Sequence, residues 1–149
     1  MEIQIATLCD AATDYNGKLN ILGAFDTIAA GKLPAPVPQC AMAIRMQFER
    51  EDAGEHDLVV SVIDPDGTPV VKPLEMSFGL EWPPEDDVTF LTRNLVYYMH
   101  NLQFPSSGQH SLDIRCDGDI LARRPISVIV RDGLPTPPPA QQAPDAPAN

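Results

Sequence analysis

Along most of the chain apolar and polar residues alternate in short runs, the period-2 signature of strands. In residues 2–9, Ile3, Ile5, Thr7 and Cys9 share one face while Ala6 and Leu8 take the other, which predicts a strand buried on both sides and central in its sheet. Residues 18–30 follow the turn-like Asp14-Tyr15-Asn16-Gly17 and set Leu19, Ile21, Gly23 and Phe25 on one face, so the two segments read as a hairpin. Residues 31–38 carry Pro34, Pro36 and Pro38, which cannot donate ladder hydrogen bonds, and are expected to form an extended crossover loop between sheets. Residues 40–50 show the cleanest alternation, with Met42, Ile44, Met46 and Phe48 inward and Ala41, Ala43, Arg45, Gln47 and Glu49 on a solvated face.

In the next strand Leu58, Val60 and Val62 alternate with Val59, Ser61 and Ile63. It ends at Asp64-Pro65-Asp66-Gly67, where proline suits the first central turn position and glycine a positive φ. Weaker patterning predicts a strand over residues 70–80, and a longer one runs from Val88 to about Met99 with Leu91, Leu95 and Tyr97. After Pro105-Ser106-Ser107-Gly108, Leu112, Ile114 and Cys116 face one way and Ser111, Asp113 and Arg115 the other. Asp117-Gly118 makes a tight turn into residues 120–131, with Ile126, Val128 and Val130 as the apolar face and a break or bulge at Pro125. Seven or eight short strands with turn signals between them predict an all-β, two-sheet antiparallel sandwich over residues 1–131, a small barrel being the competing shape.

Residues 132–149 are dominated by proline and alanine and hold one leucine to bury, so they are expected to form a disordered tail with polyproline II tendency. The tail's Pro135-Thr136-Pro137-Pro138 satisfies a bare PxxP pattern. Proline-recognition domains usually require flanking basic residues as well, and composition alone generates the pattern.

Charge narrows the partners. A net charge of −11, from 21 acids against 10 bases, makes contact with a nucleic-acid backbone or an anionic membrane unfavourable. No basic and apolar leader and no run of 18 apolar residues is present, so a soluble chain is expected. Cys9, Cys40 and Cys116 are odd in number and far apart, neither a disulfide framework nor a metal knuckle, and read as reduced thiols in a cytoplasm.

The run Ile5-Ala6-Thr7-Leu8-Cys9-Asp10-Ala11-Ala12, followed by Gly17-Lys18-Leu19-Asn20-Ile21-Leu22-Gly23-Ala24-Phe25-Asp26, resembles the opening of an uncharacterised bacterial family, the domain of unknown function 6941. Leu102-Gln103-Phe104 with Gly108 and the closing Ile126-Ser127-Val128 fit its spacing, so the resemblance covers about residues 1–131. It implies a bacterial cytoplasmic source and supplies no catalytic residues.

Candidate chemistry is sparse. Cys9 has an acid, Asp10, as its neighbour, which opposes thiolate formation, so it reads as a small buried apolar residue. His56, His100 and His110 are isolated; Glu55-His56-Asp57 holds a metal only if further ligands arrive from elsewhere, and a solvated strand edge is the simpler expectation. No phosphate-binding glycine loop, nucleophile elbow or HExxH occurs.

Topology gives the acids a pattern. With eight strands crossing from end to end, the first, third, fifth and seventh connections share one end. They contain or adjoin Asp10, Asp14, Glu49, Glu51, Asp52, Glu55, Asp57, Glu81, Glu85, Asp86, Asp87, Asp117 and Asp119, 13 of the 21 acids, with only Lys18 and Arg50 as bases. The expected function is therefore a non-catalytic binding or assembly module whose acidic loop end docks a basic protein surface. The alternatives are a calcium site drawing on Asp10, Glu51, Asp52, Asp86, Asp87, Asp117 and Asp119, a homo-oligomer subunit joined through open sheet edges, and a carboxylate or metal-assisted hydrolase using Asp10, Asp86 or their neighbours. No other cofactor is expected.

Overall fold

The computed structural model describes residues 1–135 and is all-β. Nine strands form: β1 (Glu2–Tyr15), β2 (Lys18–Phe25), β3 (Thr27–Ala30), β4 (Ala35–Phe48), β5 (Gly54–Ile63), β6 (Leu74–Leu80), β7 (Leu91–Phe104), β8 (Gly108–Cys116) and β9 (Asp119–Val130). One sheet runs β2-β1-β4-β7; the other, curled into a half-barrel, runs β3-β9-β8-β5-β6. The count exceeds the expected seven or eight because residues 18–30 divide at Asp26. There β2 stays with β1, while β3 crosses to the other sheet and pairs with β9, the one parallel neighbour among the described strands. The tail expected from Asp132 onward lies, from residue 136, outside the described residues.

The inward rows read from the alternation meet between the sheets. Met42, Ile44, Met46 and Phe48 of β4 pack against Leu58, Val60 and Val62 of β5 and Leu112 and Ile114 of β8, all nearly or fully buried. The turn after β5 forms as its residues dictate: Gly67 N–H donates to the Asp64 carbonyl at 3.0 Å, Asp64 Oδ1 accepts from Asp66 and Thr68 N–H, and Gly67 holds φ +88°. The strand expected from Val88 to about Met99 is the 14-residue β7, which begins at Leu91 and runs on to Phe104.

Two expectations fail for one reason. β1 follows β4 only as far as Cys9↔Ala41, then bends so that the β1–β2 hairpin folds back over the outer face of the sheet. Tyr98 Oη on β7 accepts from Ala12 N–H at 3.2 Å and donates to the Ala12 carbonyl at 2.9 Å. Further along, Arg45 and Asn94 both donate to the Gly17 carbonyl at 3.1 Å. Ala41 and Ala43, expected in water, are thus fully buried in a second small core with Cys9 and Ala12. Small side chains let the hairpin backbone approach. At the bend Gly23 takes φ +66° opposite Asp10, whose carboxylate would collide with any Cβ there.

The same departure of β1 corrects the proline loop. Pro36 and Pro38 belong to β4 and pair with β7 through Ala35↔Phe104, Val37↔Leu102 and Gln39↔His100. β1 is no longer paired with β4 over this stretch, which leaves that side of β4 without a β1 ladder, the setting in which a strand accommodates proline. Nor is β9 broken at Pro125, which pairs with Ser111; its irregularity falls instead at Leu121, between the pairs Ile114↔Ala122 and Arg115↔Ile120.

Candidate functional site

The ladders assign the connections to ends. Glu2 opposes Gln47 and Phe48 opposes Leu91, so the start of β1, the turn after β4 and the loop before β7 share one end. Gly54 opposes Leu80, and Asp117 N–H donates to the Asp57 carbonyl at 2.9 Å, which brings residues 49–57, 81–90 and 117–119 to that same end. At the opposite end a Cβ on Gly108 would lie 3.4 Å from Pro65, so the Asp64–Gly67 turn and the loop before β8 meet there.

Of the thirteen acids sorted by sequence, two do not join. Asp10 sits mid-strand beside Gly23, and Asp14 is carried by the folded-back hairpin onto the sheet face, where it accepts from Gly17 N–H at 2.9 Å and from Asn94 at 3.1 Å. Thirteen less these two leaves eleven: Glu49, Glu51, Asp52, Glu55, Asp57, Glu81, Glu85, Asp86, Asp87, Asp117 and Asp119. Glu2, on a strand and so outside a sorting of loops, joins them. All but Asp52 are exposed.

Several of these carboxylates are already engaged. A short 3-10 turn, Arg50–Asp52, is closed by a capping box in which Asp52 accepts from Glu49 N–H at 2.8 Å, and the Met1 nitrogen lies 2.7 Å from the same carboxylate. Asp117 accepts from Asp57 N–H at 2.9 Å and from His56 Nδ1 at 2.7 Å. Arg50 stands 3.8 Å from Asp86 and 5.8 Å from the centroid of the Trp82 ring, a cation–π approach.

His56 is the one histidine drawn into the acidic end. Its Nε2 lies 2.6 Å from the Asp52 carbonyl, which can only accept, so both ring nitrogens carry protons when Nδ1 donates to Asp117. The hydrogen bond to Asp117, then that to the Asp52 carbonyl, raises the imidazole pKa; the Asp57 N–H, then His56, lowers that of Asp117. The pairing was hidden in sequence because the partners are 61 residues apart and only the β5–β8 register aligns them.

His56, Cys116 and Asp117 place one potential ligand atom each within 4.8 Å of one another. They do not suit a metal as they stand. Both imidazole nitrogens already face protein acceptors, and burial, then Asp117, pushes the Cys116 thiol up to about 11. Cys9 and Cys40 are likewise buried with thiol pKa raised, that of Cys40 to about 11, chiefly by burial.

The two carboxylates invoked for hydrolysis are held apart. Asp10 lies level with Ala41 and Asp86 near the far end of β4 at Phe48, seven residues or about 23 Å along the strand at roughly 3.3 Å per residue. A two-contact ion pair lies elsewhere, on the outer face of the second sheet. There Arg123 meets the buried Asp113 through two parallel contacts of 2.9 and 2.7 Å and, with Ser111, holds its carboxyl below the usual carboxylate range. His110 is buried against Phe104 with its Nε2 unpartnered among the described residues.

The sequence matches the family of unknown function DUF6941 over residues 4–129. The chain belongs to this family. Two solved structures align with it at low similarity. One is an alkylpurine DNA glycosylase from Pseudomonas fluorescens bound to DNA containing an abasic site analog, at 9% identity and TM-score 0.46, covering 87% of this chain and 30% of that one. The other is an immunoglobulin-like protein from Pseudomonas aeruginosa, at 17% identity and TM-score 0.36, covering 85% of this chain and 94% of that one. The chain thus spans under a third of the glycosylase. No functionally curated protein matches the sequence. Among the described residues no helix is long and apolar enough to cross a membrane.

Proposed function

We propose that this DUF6941 protein is a non-catalytic binding module whose acidic end docks a basic protein surface. The observation that carries the reading is the gathering of residues 49–57, 81–87 and 117–119, with Glu2, at one end of the sandwich, where exposed carboxylates far outnumber bases. Such a surface steers a cationic partner and disfavours an anionic one. The frame beneath it is fixed by the capped turn at Asp52 and the His56–Asp117 pair, so the exposed Glu85, Asp86 and Asp87 project from an ordered base. A hydrolase fits less well, because Asp10 and Asp86 stand apart and both His56 nitrogens are engaged by protein oxygens.

The test is titration of a lysine-rich peptide at low ionic strength. Charge reversal at the acidic end, Glu85→Lys with Asp86→Lys and Asp87→Lys, should weaken binding roughly tenfold or more, while Asp64→Lys with Asp66→Lys at the opposite end should change it little. Equal losses from the two variants would reduce the interaction to net charge and end the proposal.

A further inference from the structure

The free edge of β7 differs from the rest of this acidic surface. β7 pairs with β4 on one side only, and its 14 residues make it, with β1 and β4, one of the longest strands. From Val88 to Leu112 the sequence holds no acid, although the chain carries 21, and β7 itself contributes Arg93 and His100. Among the described residues the carboxylate hydrogen-bonded to β7 is that of Asp14, already held by Asn94 and by Gly17 N–H.

Beside this edge the sandwich stays open. β6 and β7 end their respective sheets and face each other without pairing. Toward the acidic end Arg93 spans the gap and lies 5.8 Å from the Phe78 ring centroid. Further along, a cleft of about 210 Å3 reaches between the strands to Met42, Val60 and Val62, with Val71 and Tyr97 at its mouth. Tyr97 shares the inward register of Leu95 and Met99 yet is 43% exposed, because no strand continues the sheet beyond it.

We propose that β7 is a self-association edge, pairing antiparallel with β7 of a second copy about a two-fold axis to join the two four-stranded sheets. Two molecules of net charge −11 repel at most approaches, and an acid-free edge is where they can come together. Directly opposed residues of an antiparallel pair point to the same face, so the second copy would lay its own inward row over the open cleft. An isologous contact of this kind closes on itself and stops at the dimer. The edge of β2 competes less well. It is eight residues long, and Asp10, Asp14 and Asp26 surround it.

Sedimentation of the full chain from micromolar to millimolar concentration tests the proposal. The expected result is a species of twice the 16.2 kDa monomer mass, tightening as sodium chloride is added because salt screens the net repulsion. Tyr97→Asp should weaken association by roughly tenfold or more, since it brings two like charges to the contact, while Leu22→Asp on β2 should leave it intact. Hydrogen exchange on the unaltered protein supplies a reading independent of how the variants fold: β7 amides should gain protection as concentration rises. A monomer throughout, a dimer broken by Leu22→Asp and not by Tyr97→Asp, or a dimer without added protection on β7 would each overturn it. The acidic end adjoins β7 at its first residues, where Glu81 lies near Leu91 and Arg93, whereas these outcomes are read at Tyr97 and do not bear on it.

Discussion

At the scale of single residues, the structure replaces an unattached histidine with one held between two acceptors. His56 donates from both nitrogens, and its pKa is raised chiefly by Asp117. A raised folded-state pKa contributes stability that is complete below the unfolded value, about 6.5, and is lost as pH climbs through the folded one. Asp117, whose pKa is lowered, contributes above its unfolded value of about 3.9 and loses that contribution as pH falls through the folded one. The pair is therefore fully effective between roughly pH 4 and 6.5. Urea unfolding at pH 5.5 and pH 8, below the range of the raised thiols, should show wild type losing stability at the higher pH and His56→Gln losing less. An equal loss in both proteins would mean that His56 is not held as a cation. Nothing within Glu55-His56-Asp57 marks this role; the partner is supplied by the neighbouring strand.

Among elements, the β1–β2 hairpin most changes what the sequence suggests. Alternation identified the inward rows of β5 and β8, whose other faces lie outside the main core, and that of β4, whose other face carries small alanines in place of a second large apolar row. It misread Ala41 and Ala43, since alanine is compatible with either water or a close backbone, and the fold-back was not visible in the pattern. The signals present in retrospect are the small residues on two facing strands, Ala11, Ala12, Ala41 and Ala43, together with Gly23 at the bend. The readings differ in their consequence for Ala43→Leu. On a solvated strand the change would be near neutral, whereas beneath the hairpin the larger side chain must displace Leu19, Ile21 or Val96 and should cost about 1–3 kcal/mol. Denaturant unfolding of this variant, with hydrogen exchange following residues 10–22, should show lower stability and a loosened hairpin. Unchanged stability would leave no place for the second core.

For the whole molecule, the charge distribution was legible wherever loops follow strands that run straight from end to end. It failed at Asp10 and Asp14, where β1 bends, and it left out Glu2 because a strand terminus is not a loop. The corrected end still concentrates like charges, and their repulsion opposes the compact state more than in a chain with mixed signs. Sodium chloride should therefore raise the melting temperature by a few degrees, through screening between exposed carboxylates within about 10 Å of one another. Replacing Glu85, Asp86 and Asp87 by their amides should raise the low-salt melting temperature and flatten the salt response, since these side chains are exposed and their charge adds to the end without filling the core. Calcium separates screening from binding. Among the acids considered as its ligands, Asp52 and Asp117 already accept protein hydrogen bonds, and Asp10 lies mid-strand away from the end. At matched ionic strength calcium should stabilise the protein no more than sodium does. A calcium-specific rise would mean that the remaining carboxylates converge on an ion, because a ligand that prefers the native state adds about RT ln(1 + [L]/Kd) to its stability.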